Sequence, residues 1–416
     1  MMSRVPILIP LLAVLAMTVS FAHAGERPVD MSRLVVVGDS LSAGHQNSCL
    51  LASQQVNSYA SLVAVRAGAD LRLPLIEGSG APPCLVLVDP GPPPVVDPVP
   101  GDFGIRRDPT VPTLNLSVPG ARVGDALDPT PDNAFHGVFG FPFAALHGLV
   151  LQGHDGLPKS QVDLAVDLEP TAVIVWLGSN DVLWSAIGGD PVFVTPEDIF
   201  RADYAEMMAR LAATGAAIVV ANIPDAATIP FLTPAEAVEE ITGLPMSTFG
   251  LAPGDHVTPL AWPLIAATLP LVDAVVVDAA EITEIQASIV AFNAIIAEQA
   301  ALHGAALADI NATLRFVDDY GLAVGGRHLT TDFLGGMFTL DGIHPTNTAH
   351  AVIANEFIRA LNEGFDAGIR PFSVGEIAHI MHTDPLVLPG VGRPPQAEPF
   401  TALEVLRGLD VIRNGF

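Results

Sequence analysis

The chain has 416 residues and a formal charge of −27, with 45 acidic side chains against 18 Lys and Arg. That balance repels phosphate backbones and anionic bilayers, so nucleic acid and a charged membrane surface are excluded as partners. Half of the residues are apolar and aromatic residues are few, which permits a sizeable core, and length alone permits one large domain or two.

In chain order, the first signal is an address. Arg4 precedes an apolar stretch from Ile7 to about Ala22, interrupted by Pro10, and Ala22-His23-Ala24 forms a small-x-small cleavage pattern. Residues 1–24 therefore read as a signal peptide cut after Ala24, the alternative being an uncleaved anchor, for which the stretch is short. No second uninterrupted apolar span follows. The mature chain is expected to be secreted or periplasmic, without a stable membrane span. Two cysteines remain, Cys49 and Cys84. In an exported chain an even count points to a disulfide, two buried thiols being the other reading.

Leu34-Val35-Val36-Val37 is a short apolar run of the kind a strand buried on both faces shows. It ends in Gly38-Asp39-Ser40-Leu41, which sets a serine on a turn at a strand's carboxyl end, where open α/β sheets build ligand sites. Alone, such a turn often only ends a strand, because Asp and Ser bond their own backbone there. A helix is expected from about Asn57 to Ala67. Residues 77–112, with Pro92-Pro93-Pro94, read as an irregular or polyproline surface insertion. The aspartates crowding residues 89–132 lack the spacing of an EF-hand, and calcium there is an open reading. Leu114 to Val118 gives a short strand, and Pro119-Gly120 a turn whose Gly120 offers a backbone N–H.

Lys159 to Asp167 leads into a second buried strand, Thr171 to Leu177, which ends in Gly178-Ser179-Asn180-Asp181. Asn180 projects an amide toward the same rim or fills a turn or cap. Glu197 to Ala213 reads as a helix capped by Thr195 with Pro196 at its first position, and Ala216 to Asn222 as the next strand. Residues 225–272 form an apolar segment broken by prolines. Ile282, Ile285, Ile289, Phe292 and Ile296 make one stripe of a long helix from about Glu281 to Leu302, and Ala305 to Ile310 forms a short strand. Asp341-Gly342-Ile343-His344-Pro345 supplies an acid and an imidazole three residues apart, ahead of a last helix over about Thr346 to Asn362. A serine hydroxyl is a poor nucleophile near neutral pH and needs both a base and a carboxylate to orient that base. His45 and His350 are read as surface or capping residues, the alternative being that either lies near the site. Ser373 to Met381 and Phe400 to Ile412 carry helical patterning in a C-terminal extension, 366–416.

Taken together and in this order, Gly-Asp-Ser-Leu, a turn glycine, Gly-x-Asn-Asp and Asp-x-x-His resemble the GDSL or SGNH hydrolase superfamily, with blocks running from Gly38 to His344. The resemblance implies Ser40 as nucleophile, His344 as general base and then acid, and Asp341 as the carboxylate that orients His344. It implies an oxyanion hole made by the backbone N–H groups of Ser40 and Gly120, with Gly124 close by as the competing glycine, and by the side-chain amide of Asn180. No metal or organic cofactor is implied. Alternation of strands and helices calls for a mostly parallel sheet with helices on both faces, and the resemblance implies a flavodoxin-like three-layer α/β/α fold with five strands, over residues 25–365 with insertions at about 77–112 and 225–272.

The expected function is an exported serine hydrolase that cleaves carboxylic esters, of small molecules or lipids, through an acyl-serine. Phe231 and Phe249 are candidates for the wall or lid of an acyl pocket, the alternative being packing against the sheet. A carbohydrate O-acetylesterase, a lysophospholipase or thioesterase, and a catalytically silent binding protein of the same fold are the competing readings.

Overall fold

Four apolar runs build the central sheet: β1 (Leu34–Gly38), β2 (Ala172–Trp176), β3 (Ala217–Ala221) and β4 (Ala306–Ala308), hydrogen-bonded in that order and all parallel. The structure, a computed structural model, describes residues 29–90, 95–131 and 143–387. The expected signal peptide, Pro92-Pro93-Pro94 and the stretch from Phe400 to Ile412 lie outside them. Val35, Val37, Val173, Val175, Ile218 and Val220 enter one core, while Leu34, Val36, Ile174, Trp176, Val219 and Ala221 enter another. Successive side chains alternate between the two faces, and both faces are covered, which is why each strand reads as one continuous apolar run.

Seven helices bear on the site: α1 (Tyr59–Ala67), α2 (Gln161–Asp167), α3 (Asn180–Gly188), α4 (Glu197–Ala212), α5 (Ala279–His303), α6 (Ile310–Tyr320) and α7 (Asn347–Phe365). α2, α4 and α5 pack on the first face, and α1 and α7 on the second, which makes the three-layer α/β/α arrangement. α5 begins with a capping box at Asp278 and Glu281. By length and composition α5 is apolar enough to cross a membrane, although Glu281, Glu284 and Glu298 interrupt its apolar run. Its stripe Ile282, Ile285, Ile289, Phe292 and Ile296 nevertheless lies buried in the core. α4 departs from expectation at its start. Thr195 does not cap it; its hydroxyl donates to the Asp181 carboxylate at 2.8 Å instead.

The expected fifth strand is reduced to a bridge. Asn115 pairs in parallel with Val36 on the free edge of β1, and the Val36, Leu116 and Val118 amides donate to Leu114, Val36 and Gly38 carbonyls at 2.9, 2.8 and 3.1 Å. Counting that segment, the spatial order is 2-1-3-4-5, the flavodoxin-like order, in which the chain leaves β1 to one side and returns to the other with β2. The crevice at the carboxyl ends of those two strands is where such sheets bind ligands. Ser40 follows β1 and Asn180 follows β2, and the two strands run in register from Leu34–Ala172 to Gly38–Trp176.

The two insertions differ from their sequence reading. Within 77–112 lies a β-hairpin, Leu85–Asp89 with Val95–Pro98, where only irregular chain was expected. A disulfide joins Cys84 to Cys49 (Cα–Cα 4.9 Å), and the Leu85 amide donates to the Asn47 carbonyl at 2.9 Å, so the hairpin is held from its base. Residues 233–277 form a three-stranded antiparallel patch with a core of its own around Val238, Phe249, Leu251, Val257 and Ile265.

Candidate active site

Gly38 closes β1 because nothing larger fits there: an added Cβ would fall 2.4 Å from the Ser42 hydroxyl oxygen. Asp39 then caps the short helical turn Ser40–Ala43, its carboxylate accepting the Leu41 amide at 2.9 Å. Ser40 is 7% exposed, at the first position of that turn and at the mouth of a cavity.

His344 and Asp341 come from the loop before α7, which Thr346 caps by accepting the Ala349 amide. His344 Nδ1 donates to Asp341 Oδ2 at 2.9 Å. Asp341 accepts four further bonds: Oδ1 takes the Thr339 hydroxyl and the Ile343 and His344 amides, each at 2.9 Å, and Oδ2 takes the Ser48 amide at 2.6 Å. Burial alone would raise the pKa of this carboxyl, but His344 and these hydrogen bonds outweigh it and hold the group below the ordinary carboxylate range. An ionised carboxylate only accepts, so the Nδ1 atom must carry the proton, which leaves Nε2 of the neutral ring as the basic atom. His344 Nε2 is buried and has no hydrogen-bond partner among the described residues.

The loop after the nucleophile completes this corner. Asn47 and Ser48 both adopt left-handed backbone (φ 52° and 59°), a conformation that costs roughly 1–2 kcal/mol in a residue other than glycine. It aims the Ser48 amide at Asp341. Asn47 also accepts the Leu340 amide and gives its own amide to the Thr339 hydroxyl, each at 3.1 Å. On the other side Gly342 (φ 70°) lies where an added Cβ would meet the Phe231 backbone nitrogen at 2.8 Å, and the Phe231 amide donates to the Gly342 carbonyl at 2.9 Å.

Asn180 opens α3 and is 3% exposed. Its Nδ2 donates to Asp39 Oδ2 at 3.2 Å and to the Ala121 carbonyl at 3.0 Å. Gly120 sits in the turn between Val118, whose amide bonds the end of β1, and Ala121, which accepts from Asn180. Gly124 faces Asp203 of α4, whose carboxylate oxygen lies 2.8 Å from where its Cβ would be. Gly120 thus precedes the residue whose carbonyl Asn180 holds, while Gly124 lies against α4. Asp39 is fully buried, and desolvation pushes its carboxyl up to about 7 against the help of the Leu41 amide and the His344 charge.

Several side chains fall elsewhere than expected. His45 is not a surface residue: it is 2% exposed and its ring centroid lies 4.4 Å from that of His344, tilted by 50°. Burial first, and the neighbouring His344 second, hold its pKa well below the usual imidazole value. His350 is also buried, its Nδ1 accepting the Tyr59 amide at 3.2 Å, and burial lowers it to about 3. Phe249 is 1% exposed inside the core of the 233–277 patch, and Phe231 braces the Asp341 loop. Neither lines the cavity at Ser40. Sequence reasoning missed Asn47, Ser48 and Thr339 around Asp341; the one local signal was Asn47, a residue type that tolerates left-handed backbone.

His45, Asp341 and His344 are, among the described residues, the one cluster of ligand atoms close enough together to hold a cation. Both oxygens of Asp341 are committed to donors, so the cluster is organised as a hydrogen-bonded acid–imidazole pair rather than an open ligand set. The aspartates of 89–131 form no such cluster among the described residues.

A parallel sheet with a serine and an asparagine at its switch point, and a carboxylate–imidazole pair beside them, defines an α/β protein with the layout of a hydrolase. The family description "GDSL-like Lipase/Acylhydrolase" matches residues 34–357, and the chain belongs to that family. No curated protein matches the sequence. Among solved structures, an α/β-hydrolase enzyme from the metagenome of Lake Arreo, Spain, is 14% identical over 80% of this chain and 95% of its own, with a TM-score of 0.36. The psychrotrophic esterase EstA from a Pseudoalteromonas species is 13% identical over 80% and 99%, with a TM-score of 0.35. Phospholipase A1 from Streptomyces albidoflavus is 14% identical over 82% and 98%, with a TM-score of 0.29. Family membership rests on the match over residues 34–357.

Proposed function

We propose that the protein is an exported serine hydrolase that cleaves carboxylic esters through an acyl-serine intermediate. The observation that carries this reading is the Asp341–His344 pair, in which five donors hold the acid ionised and fix the imidazole with Nε2 free to accept a proton. Ser40 loses its proton to Nε2 as its oxygen attacks the ester carbonyl, and charge develops on the carbonyl oxygen. The backbone amides of Ser40 and Gly120 and the Asn180 side chain are the donors for that charge, and donors set in place beforehand favour the transition state over the ground state. His344 passes the proton to the leaving alcohol as the ester C–O bond breaks. Water, deprotonated by the same nitrogen, then releases the acid from Ser40.

Export is supported by the pattern in residues 1–24 and by the Cys49–Cys84 disulfide, a bond that persists in oxidising compartments. The test is hydrolysis of p-nitrophenyl acetate and butyrate by residues 25–416 beside Ser40→Ala. Release that disappears in the variant is the expected result; release that persists at the wild-type rate places the chemistry elsewhere, and a folded wild type without release favours a binding protein of the same fold.

A further inference from the structure

β4 runs directly into α6, and α6 turns Ile310, Thr313, Leu314 and Val317, three and four residues apart, toward the cavity that opens at Ser40. Val352 and Ile353 of α7 form another wall. The polar groups of this cavity gather at the Ser40 and Asn180 end. Away from it, the Thr313 hydroxyl donates back to the Asp309 carbonyl at 3.0 Å, and the Asp225 carboxylate accepts from Gln286 and the Ala227 amide, each at 2.9 Å. A sugar placed there would find only the Asp225 carboxylate and the Thr313 oxygen to take its many hydroxyls, and those left unpaired would cost several kcal/mol, whereas a hydrocarbon chain needs no partners along the apolar walls.

The cavity has a volume of about 80 Å³. A single water-sized group takes up ~10–15 Å³ on the same measure, which leaves room for roughly six methylene-sized groups. We infer that this cavity holds the acyl chain of the ester, of roughly six to eight carbons, and that α6 sets the limit on its length. The inference rests on the hydrolase reading above. The acyl half is the occupant because it stays bonded to Ser40 through the intermediate, while the alcohol leaves before water attacks, and a cavity walled by two helices suits the part that stays. The wall is therefore α6 and α7 rather than the 233–277 patch, of which Phe249 forms the core.

The experiment compares p-nitrophenyl esters from acetate to palmitate in the wild type, Val317→Phe and Leu314→Phe. In the wild type, kcat/KM should rise about fourfold per added methylene to about octanoate and fall beyond it. In Val317→Phe the octanoate-to-acetate ratio of kcat/KM should drop by about tenfold or more, the worth of two excluded methylenes. Leu314→Phe, at a half-buried position, gives the same reading if circular dichroism shows Val317→Phe unfolded. Titration calorimetry of octanoate onto Ser40→Ala reads the cavity without the chemistry, and binding that Leu314→Phe removes supports the inference. Absence of octanoate binding, or a length profile that is flat or falls from acetate, overturns it. If Ser40-dependent acetate hydrolysis persists in that case, the hydrolase reading stands without the inference. Alkyl acetates whose kcat/KM climbs with alcohol length, against a flat acyl series, would assign the cavity to the alcohol and likewise overturn it.

Discussion

Two buried carboxylates, Asp39 beside Ser40 and Asp341 beside His344, are built in opposite ways. Asp341, with a side chain 4% exposed, takes five hydrogen bonds and lies against His344. Asp39, fully buried, accepts the Leu41 amide and the Asn180 amide. Burial penalises the charge of each, yet one is held below the ordinary carboxylate range and the other is pushed up to about 7. The number of donors and the nearness of an imidazole, rather than depth, decide which acid is an anion. The Asp341 corner is an electrostatic anchor for the His344 imidazole; the Asp39 corner is a hydrogen-bonded strut under the Asn180 amide.

Replacing the anchor should have the largest effect. Asp341→Asn keeps the volume but removes the anion that selects the tautomer of His344, and kcat for an ester should fall by ~10⁴. The folded-state value of this acid lies below its unfolded one, so its contribution to stability is present above the unfolded pKa and fades as pH falls below it. The melting temperatures of variant and wild type should therefore differ at pH 7 and converge in acid. A loss of less than about tenfold in kcat would remove Asp341 from the mechanism.

Next comes the donor itself. Asn180→Ala should lower kcat by ~10²–10³ with little change in KM, the mark of an interaction made in the transition state. A change confined to KM would make Asn180 a ground-state contact instead.

The strut is worth less, and pH reveals it. Asp39 and also Asp181, which burial likewise raises to about 7, hold protons in the folded chain that the unfolded chain has already lost. Stability from these two groups is thus full below the ordinary carboxylate value and declines as pH rises through the window up to about 7. Asp39→Asn should flatten that decline in denaturation midpoints measured from pH 4 to 8 and lower kcat/KM by about tenfold at most, the order of one hydrogen bond. An unchanged stability profile would show that Asp39 does not titrate in this window.

The smallest effect is expected at His45. Its ring packs on His344 while burial disfavours its charge, so His45→Phe, which keeps a ring, should alter kcat/KM by no more than about tenfold, the order of one aromatic pair. A larger loss would mean that the second imidazole takes part in proton transfer.

Much of the site was legible along the chain because its residues stand at element boundaries. The apolar runs of β1 and β2 mark strand ends, so Ser40 and Asn180 were placed by counting; Thr346 and the apolar stripe of α7 mark the helix start that holds His344. The hairpin at 85–98 was not legible, because prolines read as irregular chain while its pairing depends on anchors at Asn47 and Cys49. Pro98 is tolerated at the hairpin edge, where a missing N–H costs little. The lid expectation for Phe249 went astray for a related reason: an apolar, proline-broken stretch reads the same whether it covers a ligand or, as here, folds on itself.

By itself, then, the sequence determined the family, the alternation of strands and helices, and the positions of Ser40, Asn180, Asp341 and His344 at element boundaries, since each depends on residues within a turn or two. Tertiary structure alone decided that Ser48 reaches Asp341 across 293 residues, that His45 lies against His344, and that α6, α7 and the start of the 225–272 segment at Ala226 and Ile229 line the cavity while Phe231 and Phe249 do not. Those outcomes depend on how distant segments are brought together, and neither periodicity nor spacing records the path by which a chain returns to its own active site.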